Sequence, residues 1–332
     1  MYKVSVIVPV YGAEKYIEKC ARSLFCQTLD AIEYIFINDC TPDNSEDILK
    51  KTLEFYPDRK KDTKIIKMSS NKGQAIVRRY GIQLAQGEYV IFCDSDDWID
   101  RDAYELMYNK AIETNADIVV SDFVYEYSKY SEVKKQIFDD SRDGALSSLL
   151  NGSLHCSTCN KLVKRKIYAD HDLLSFDGVN MWEDVLLIIP ACAYSSNVVY
   201  LPNPVYHYVH YNSGSITTRA SKKSMENIRF VIEVIESFLK NIGEFEKFEN
   251  DFLNLKLSGK LIFLLYSEGD EQKEYSSLYP ETNKIITSTQ AISPYWKLAM
   301  YLSYKLDISL FNCFARLSYL IKIVNSFFKK IF

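Results

Sequence analysis

The order in which apolar runs and helical segments follow one another constrains the fold of this 332-residue chain most strongly. Five short runs, most of them rich in β-branched residues, lie at 3–10, 34–39, 64–68, 89–94 and 117–121. Runs of this kind are typical of strands buried on both faces of a sheet. Segments with apolar residues at helical spacing separate them. We therefore expect an α/β fold with a Rossmann-like, mainly parallel, doubly wound sheet.

Polar side chains stand where three of the predicted strands end. Tyr11, Asp39 and Asp94 occupy these positions. In doubly wound sheets, ligands bind beyond the carboxyl ends of the strands, near the point where strand order reverses. We therefore expect the three residues to share one edge of the sheet and one ligand site.

The strand pattern stops at about residue 218, and the remainder has helical spacing, as at Ile228, Val231 and Ile235. We expect a catalytic domain at 1–218 and a helical C-terminal region at 219–332. From about 291 this region is basic and amphipathic. Residues 291–332 contain six Lys or Arg and one Asp, a net charge of +5, although the whole chain carries −4.

The last predicted helix has an apolar face, and no run in it reaches the roughly 18 apolar residues of a membrane-spanning helix. Two interpretations stay open. The helix could lie in a membrane interface, held by apolar contact and by attraction to anionic lipid. It could instead pack on the catalytic domain. The residues of the apolar face are Leu310, Phe314, Leu317, Ile321, Val324 and Phe328.

Composition and charge narrow the class of protein. A net charge of −4 argues against nucleic acid as a partner, because binding by phosphate neutralisation needs a basic surface. The chain begins directly with a strand pattern and shows no leader-like segment, so we expect a cytoplasmic protein, with peripheral contact to the inner membrane face under the first interpretation. The eight Cys are scattered, and we expect reduced thiols without disulfides.

Three carboxylates within four residues follow the fourth predicted strand, at Asp94, Asp96 and Asp97. Their mutual repulsion is costly without a cation or positive partners. Mg²⁺ and Mn²⁺ favour carboxylate and phosphate oxygens, and a Mg²⁺ site commonly combines one or two carboxylates with substrate phosphates. The segment is therefore a candidate site for a metal diphosphate. Acidic strand ends also occur as turns and helix caps.

Four segments together resemble the successive signatures of the family 2 inverting glycosyltransferases, in particular the bacterial enzymes that build polysaccharides. The resemblance covers about residues 3–217, and it implies the A-type glycosyltransferase fold. The segments are VSVIVPVY at 4–11, NDCTPDNS at 38–45, NKG at 71–73 with Arg78 following, and DSDD at 94–97.

The resemblance implies a nucleotide-sugar site. Pro9 and Tyr11 would line the nucleotide pocket. Asp39 would accept a hydrogen bond from the base, and Asp94 would hold the ribose. Asp96 would be the ligand of Mn²⁺ or Mg²⁺.

The same segments contain further candidates and alternatives. Gly73 and Ser95 would also contact the donor, and Arg78 would contact a phosphate or form a salt bridge on a helix surface. Asp39 and Asp43 could instead cap the helix that starts near Ser45.

A second acidic element, Glu183-Asp184, precedes an apolar run. It resembles the family's Glu-Asp motif, in which the Asp is the catalytic base. Inverting transfer needs one base for the acceptor hydroxyl and one cation for the departing diphosphate. Asp184 and a metal at Asp96 would supply these, and Glu183 would orient the acceptor or Asp184. The alternative is an acidic helix start favoured by the helix dipole.

Other segments carry weaker predictions. Lys161 or Arg165 could meet an anionic donor or acceptor, but a solvated charged turn is the better prediction. The segment 206–216 resembles the family's loop that closes over the diphosphate, with a role for His210 left open. The pair Cys156 and Cys159 has the spacing of a zinc site, which we disfavour because no second pair follows.

The resulting hypothesis is an inverting glycosyltransferase that moves a sugar from a nucleotide diphosphate, with UDP as the expected carrier, to a hydroxyl of a glycan or lipid-linked acceptor in cell-surface polysaccharide synthesis. The alternatives are a sugar- or nucleotide-binding protein with a decayed site, or a sugar-nucleotide pyrophosphorylase. Motifs of dehydrogenases and phosphate-loop kinases are absent from the sequence, because Gly12 is followed by Ala13 and Glu14.

Overall fold

A computed structural model describes residues 1–171, 176–212 and 221–331, with residues 320–331 described as helix backbone alone. The chain groups into two compact units. The first comprises Met1–Leu149 and Leu154–Arg219, and the second comprises Leu150–Ser153 and Ala220–Phe332. The division expected from the sequence falls after residue 218.

The first unit is built on one mixed sheet. Its strands, as far as the described residues go, are β1 (Val4–Val10), β2 (Ile32–Asn38), β3 (Thr63–Lys67), β4 (Tyr89–Phe92), β5 (Trp98–Ile99), β6 (Ile118–Glu126), β7 (Ser131–Lys134), β8 (Lys161–Lys164) and β9 (Val198–Val209). They lie in the order β3-β2-β1-β4-β8-β6-β9-β5, and β7 pairs with β6.

Helices connect these strands and form the second unit. The helices from residue 1 to 212 are α1 (Ile17–Phe25), α2 (Ser45–Glu54), α3 (Gln74–Leu84), α4 (Ala103–Thr114), α5 (Arg142–Asn151), α6 (Arg165–Asp170) and α7 (Glu183–Tyr194). Those after residue 220 are α8 (Lys222–Asn241), α9 (Phe245–Tyr266), α10 (Gly269–Ser277), α11 (Pro294–Lys305) and α12 (Ile308–Ile331). Short 3₁₀ helices lie at Pro57–Asp62 and Pro280–Ile285.

The predicted α/β fold with a C-terminal helical extension is confirmed. The half of the sheet from β3 to β4 is parallel throughout. Every residue of β1, β2 and β4 is buried, which explains why their sequences are nearly continuous apolar runs. The other half of the sheet is mixed, which was not predicted. There β8 runs antiparallel to both β4 and β6, while β6 and β9 are parallel to each other.

The strand directions place the carboxyl ends of six strands at one edge of the sheet. Because β8 is antiparallel to both of its neighbours, β4 and β6 run in the same direction. The carboxyl ends of β1, β2, β3, β4, β6 and β9 therefore lie at a common edge, which we call the C-terminal rim. Residues that follow these strands meet there although they are far apart in sequence.

Helix α3 packs closely on the sheet from one side. A Cβ atom at Gly81 would overlap the side chain of Ile7, so this position of α3 requires a glycine. The close approach brings the preceding turn of α3, which carries Arg78, against the end of β4.

The second unit has its own apolar core. Phe311 of α12 is fully buried, and Phe314 packs on Tyr295 of α11 with ring centroids 5.2 Å apart. Leu317 is 51% exposed. The side chains of the remaining predicted apolar and basic positions lie outside the described residues: Ile321, Val324, Phe328, Lys322, Lys329 and Lys330. Within the described parts of the chain, no helix has the length and apolar character needed to cross a membrane.

Candidate active site at the C-terminal rim

The loops that follow β1 and β2 are joined by the carboxylate of Asp43. Its Oδ2 accepts the backbone N–H of Glu14 at 2.9 Å, and its Oδ1 accepts the hydroxyl of Thr41 at 2.7 Å. Its Oδ1 also accepts the backbone N–H of Ser45, the first residue of α2, at 3.1 Å. Burial acts to raise the pKa of Asp43, but hydrogen bonds from Ser45 and Thr41 outweigh it and hold the pKa below its ordinary value.

Pro9 and Tyr11 lie at the carboxyl end of β1. Pro9 is buried within the strand, whereas Tyr11, directly beyond it, is 54% exposed. A ring exposed at this rim can stack on a planar ligand. Their assignment to a nucleotide pocket stays a prediction.

Asp39 holds the loop that leads into α3. The side chain is 4% exposed, and its two oxygens accept the backbone N–H groups of Lys72 at 2.7 Å and Gly73 at 2.8 Å. Gly73 has a φ of +84°, and a Cβ atom there would overlap the side chain of Asn180. Asp39 therefore shapes the rim and does not cap α2. The N-cap position of α2 is Asn44, and Asp43 accepts the N–H of Ser45 from just outside the helix. A hydrogen bond from a nucleotide base would use the remaining lone pairs of the carboxylate and stays a prediction.

Asp97 ties the end of β4 to β9. It is 2% exposed, and its oxygens accept the hydroxyl of Tyr206 at 2.6 Å and the backbone N–H of Val209 at 2.7 Å. Burial, followed by the nearby charges of Asp96 and Asp94, raises the pKa of Asp97 well above its ordinary value. Asp97 is thus part of the scaffold of the acidic segment.

Asp96 is the acid of this segment that best suits a metal. Its Oδ2 accepts the side-chain amide of Asn212 at 2.7 Å. Burial and then the charge of Asp94 raise its pKa, and a nearby cation would relieve both effects. In the described ranges, no group of three or more His, Cys, Asp or Glu is arranged to hold a metal ion. A single carboxylate is compatible with a hard divalent cation whose other ligands are diphosphate and water oxygens. Metal binding by Asp96 stays a prediction.

Arg78 lies between the two acidic elements of the sequence. Its side chain is 2% exposed, and its guanidinium lies over the ring of Phe92. Nη2 donates to Asp94 Oδ1 at 2.9 Å, and Nη1 donates to Glu183 Oε1 at 3.0 Å and to Asp184 Oδ1. The alternative of a helix-surface salt bridge is wrong, since this guanidinium is buried. The predicted phosphate contact remains untested, and the donors that it would use are bound to carboxylates.

The chain turns sharply before Glu183 and Asp184, the first two residues of α7. Trp182 has a φ of +64°, and this left-handed turn aims both carboxyl groups at Arg78. Burial raises the pKa of Glu183 to about 7, the charge of Asp184 adds to this, and Arg78 opposes it. Burial also raises the pKa of Asp184, again opposed by Arg78. The backbone N–H of Thr158 lies 3.4 Å from Asp184 Oδ2.

Ser95, the remaining residue predicted to contact the nucleotide sugar, lies between Asp94 and Asp96 and is 7% exposed. The backbone N–H of Asp94 donates to the hydroxyl of Tyr206 at 3.1 Å. Tyr206 and Asn212 also fix the acidic segment. Both belong to the segment 206–216 that resembles the family's closing loop, but these contacts were not predicted, because Asp97 and Asp96 lie 109 and 116 residues away in sequence.

The structure corrects the prediction for Lys161. This residue of β8 is 1% exposed and is not part of a solvated turn. Its Nζ donates to the carbonyl oxygens of His155 at 2.6 Å and Ser157 at 2.8 Å, and to Asn160 Oδ1 at 2.9 Å. Burial lowers its pKa to about 8. Lys161 therefore holds the loop at 155–160, just before β8, through hydrogen bonds made on its buried side. Arg165 donates to the carbonyl oxygen of Gly87 at 2.7 Å.

The neighbouring cysteines have the character of core residues. Cys156 and Cys159 are free thiols, and burial raises the pKa of both. A zinc ligand must be a thiolate, which such an environment disfavours. His210 lies at the rim just after β9, while residues 213–216 of the loop-like segment at 206–216 lie outside the described residues.

Comparison with known proteins identifies the family of the chain. The sequence model of Glycosyl transferase family 2 matches residues 5–172. EpsH of Bacillus subtilis (strain 168) is 32% identical over 257 residues, which are 75% of this chain and 72% of EpsH. TarP of Staphylococcus aureus (strain N315), a poly(ribitol-phosphate) β-N-acetylglucosaminyltransferase, is 27% identical over 289 residues, 86% of each protein.

A solved structure extends the match to the whole fold. The crystal structure of S. aureus TarS 1-349 in complex with UDP-GlcNAc superposes with a TM-score of 0.70 at 19% identity, covering 95% of this chain and 90% of that one. This confirms the predicted A-type fold. The profile match, the relatives and the rim that carries Asp39, Asp94, Asp96 and Asp184 lead to one conclusion: the chain is a glycosyltransferase of glycosyl transferase family 2.

Proposed function

We propose that the chain transfers a sugar from a nucleoside diphosphate sugar to a hydroxyl of a glycan or lipid-linked acceptor, with inversion at the anomeric carbon. The observation that carries the proposal is the pairing of Arg78 with Asp94 on one side and with Glu183 and Asp184 on the other. This contact brings Asp94, the proposed ribose ligand, and Asp184, the candidate base, to the same place on the rim. Such proximity is what a single displacement requires.

Each step of the transfer has a candidate residue. The exposed ring of Tyr11 and the carboxylate of Asp39 would bind the nucleotide at the ends of β1 and β2. Asp184 would take the proton from the acceptor hydroxyl as that oxygen attacks the anomeric carbon. Arg78 stabilises the ionised form of Asp184, because its buried positive charge lies against the Asp184 carboxylate and opposes the rise of the pKa on burial.

Asp96 would hold a divalent cation, Mn²⁺ or Mg²⁺, through one carboxylate oxygen. When bound, such an ion neutralises charge on the departing diphosphate. Asn212 keeps the Asp96 carboxylate in place through its 2.7 Å hydrogen bond.

UDP is the proposed nucleotide and a bacterial surface glycan the proposed acceptor. The first rests on the fold shared with TarS, whose structure contains UDP-GlcNAc, and the second on the likeness to TarP. Because the chain belongs to a glycosyltransferase family, the alternative of a sugar-nucleotide pyrophosphorylase has no support. Both acidic elements are intact and converge on Arg78, which favours an enzyme over a decayed binding protein.

The experiment that tests the donor site is binding of UDP-sugars, measured by thermal shift with Mn²⁺ or with chelator. A ligand that binds the native state raises the apparent stability. Wild type should be stabilised by donor when Mn²⁺ is present, and Asp96→Ala should lose the Mn²⁺-dependent part. An equal shift for Asp96→Ala, with and without chelator, would contradict the assignment. Asp270→Ala is the control, since Asp270 is 99% exposed on α10.

We also propose that the basic C-terminal segment provides contact with an anionic membrane surface. The support is its net charge of +5 over residues 291–332 and the exposure of Leu317 and Tyr319 near the end of the described side chains. A lipid-linked acceptor would be presented on such a surface.

A further inference from the structure

Three aromatic rings stack on one another at the C-terminal rim, and none of them has a role in the proposed chemistry. Tyr127 stacks on Tyr130, with ring centroids 4.6 Å apart and planes 24° apart. Tyr127 also stacks on His210, at 4.9 Å and 18°. We call Tyr127, Tyr130 and His210 the aromatic platform. Tyr130 is 48% exposed, and His210 is exposed as well.

The platform is held by regular backbone structure. It sits where β6 and β9, paired in parallel as far as Glu126 and Val209, come to their ends. The backbone N–H of His210 donates to the carbonyl oxygen of Glu126 at 2.8 Å, and that of Tyr127 donates to the carbonyl oxygen of Tyr130 at 2.9 Å. These bonds fix the β6–β7 turn and the residue after β9.

Buried or half-buried rings support the platform from beneath. Tyr125 meets His210 edge to face at 4.2 Å, and Tyr208 lies 5.0 Å from His210. Tyr125 in turn packs against Phe123 at 5.1 Å. The rings are therefore set in place before any ligand arrives, which reduces the ordering cost of binding.

The platform lies beside the acidic segment on the side away from the nucleotide strands. Val209, directly before His210, donates its N–H to Asp97, and Asn212, two residues after His210, donates to Asp96. In the sheet order, β1 and β2 lie on one side of β4, whereas β6 and β9 lie on the other. A group bound on the platform would thus approach the reacting centre from the side opposite the nucleotide.

We propose that the aromatic platform is the subsite for a saccharide acceptor, with one pyranose ring of that acceptor resting on the exposed rings. A pyranose presents C–H groups on its faces and hydroxyl groups on its edge. The C–H groups carry slight positive charge and suit the negative face of an aromatic ring. The edge hydroxyls remain free to serve as the acceptor group. This inference rests on the proposed function, because it names the acceptor class for the same site.

A stack that served packing alone would be expected in the core. Here two of its three members are exposed, and the residues on either side of His210 contact Asp97 and Asp96. The flanking side chains are of both signs, with Glu132 and Lys134 paired at 2.5 Å on β7. This setting suits a neutral saccharide better than a polyanion.

The test is saturation-transfer NMR of the full chain with UDP and Mn²⁺ present, so that the nucleotide pocket is filled. The probes are cellobiose, lactose and chitobiose at millimolar concentration. At least one should bind the wild-type chain. Tyr130→Ala should weaken that binding by roughly three- to tenfold, the size of one aromatic contact, and Tyr130→Phe should retain it because the ring is kept.

The matched control is Tyr304→Ala, since Tyr304 of α11 is 52% exposed, much like Tyr130. It should bind the probes as the wild type does. Equal binding by wild type and Tyr130→Ala, or no binding of any probe to the wild type, would overturn the proposal. Release of UDP from UDP-GlcNAc by the wild-type chain is measured in parallel. Its absence with intact probe binding would count against the proposed function and leave the saccharide subsite standing.

Discussion

One guanidinium neutralises part of the charge of three carboxylates at the centre of the site. Arg78 is almost fully buried, whereas about a quarter of the Asp94 and Asp184 side chains is exposed. Burying charge is costly unless it is paired, so the four groups depend on one another. The pKa values of Glu183 and Asp184 are both raised, and Arg78 limits the rise in each. The guanidinium thus favours the ionised forms of both carboxyl groups, against the effect of burial.

Removal of Arg78 should therefore destabilise the fold in a pH-dependent manner. We expect Arg78→Leu to lower the free energy of unfolding at pH 7.5 by about 3 kcal/mol, the lower end for a broken buried ion pair because two of its partners are partly exposed. Without the guanidinium, the carboxyl pKa values rise further above their unfolded values. The native state then binds more protons than the unfolded state, so stability falls as pH rises. The loss should shrink towards pH 5.

Urea unfolding at several pH values measures this effect. Arg79→Leu, the adjacent and exposed position of α3, is the control and should change stability by less than about 0.5 kcal/mol. An equal loss for Arg78→Leu at pH 5 and pH 7.5 would show that the carboxylates are not the cause.

At the level of elements, the sequence revealed the strands that contain short apolar runs, most of them rich in β-branched residues. The first four predicted runs correspond to β1, β2, β3 and β4 within one or two residues, and the fifth to the start of β6. The strands β5, β7, β8 and β9 were missed. β5, β7 and β8 have two to four residues, and β7 is mostly exposed and polar. β9 is long, but two prolines and an asparagine interrupt its apolar residues. Their existence depends on pairing with distant partners, which local patterns do not encode.

In the candidate site, too, local motifs were predictable from the sequence and contacts between distant residues were not. The motifs identified Asp94, Asp96, Glu183 and Asp184 because each stands next to an apolar run. Nothing in the sequence indicated that Arg78 joins them, since the three contacts span 16, 105 and 106 residues. Lys161 was misread because charged residues are rarely buried, and its three hydrogen bonds are the condition that permits its burial.

The loops after β1 and β2 should loosen together when Asp43 is changed. Asp43→Ala removes the acceptor for the N–H groups of Glu14 and Ser45. We expect a loss of about 1 kcal/mol in stability, with faster hydrogen exchange at those two amides. Asp47→Ala, on the solvent side of α2, is the control. Unchanged exchange at Glu14 in Asp43→Ala would show that the two loops are held by other contacts.

At the level of the whole molecule, the proposed membrane contact depends on the charge of the C-terminal segment. Each basic residue near an anionic bilayer contributes about 1 kcal/mol. We expect the full chain to co-sediment with anionic vesicles and to be released by 1 M salt, where the Debye length falls to about 3 Å. Truncation before α11 would remove Ala299 and Met300 from the apolar core of the second unit and could unfold that unit. Charge reversal in the full chain is therefore the sharper test.

In that test, Lys322, Lys329 and Lys330 are changed to Glu in the full chain. The variant should remain in the supernatant with anionic vesicles. The control reverses Lys15, Lys51 and Lys72, three exposed lysines of the first unit, and should sediment as the wild type does. If the wild type stays in the supernatant with both neutral and anionic vesicles, the segment has no such role and a soluble acceptor is favoured.

The central claim is that Asp184 is the base of a transfer whose donor binds elsewhere on the rim. The most direct measurement compares donor binding with sugar transfer in Asp184→Asn, using the UDP-sugar that stabilises the wild type and the saccharide that binds it. We predict donor affinity close to that of the wild type and turnover lower by about 10²–10⁴, the usual contribution of general base catalysis. Turnover close to that of the wild type would contradict the account and leave Glu183 as the next candidate.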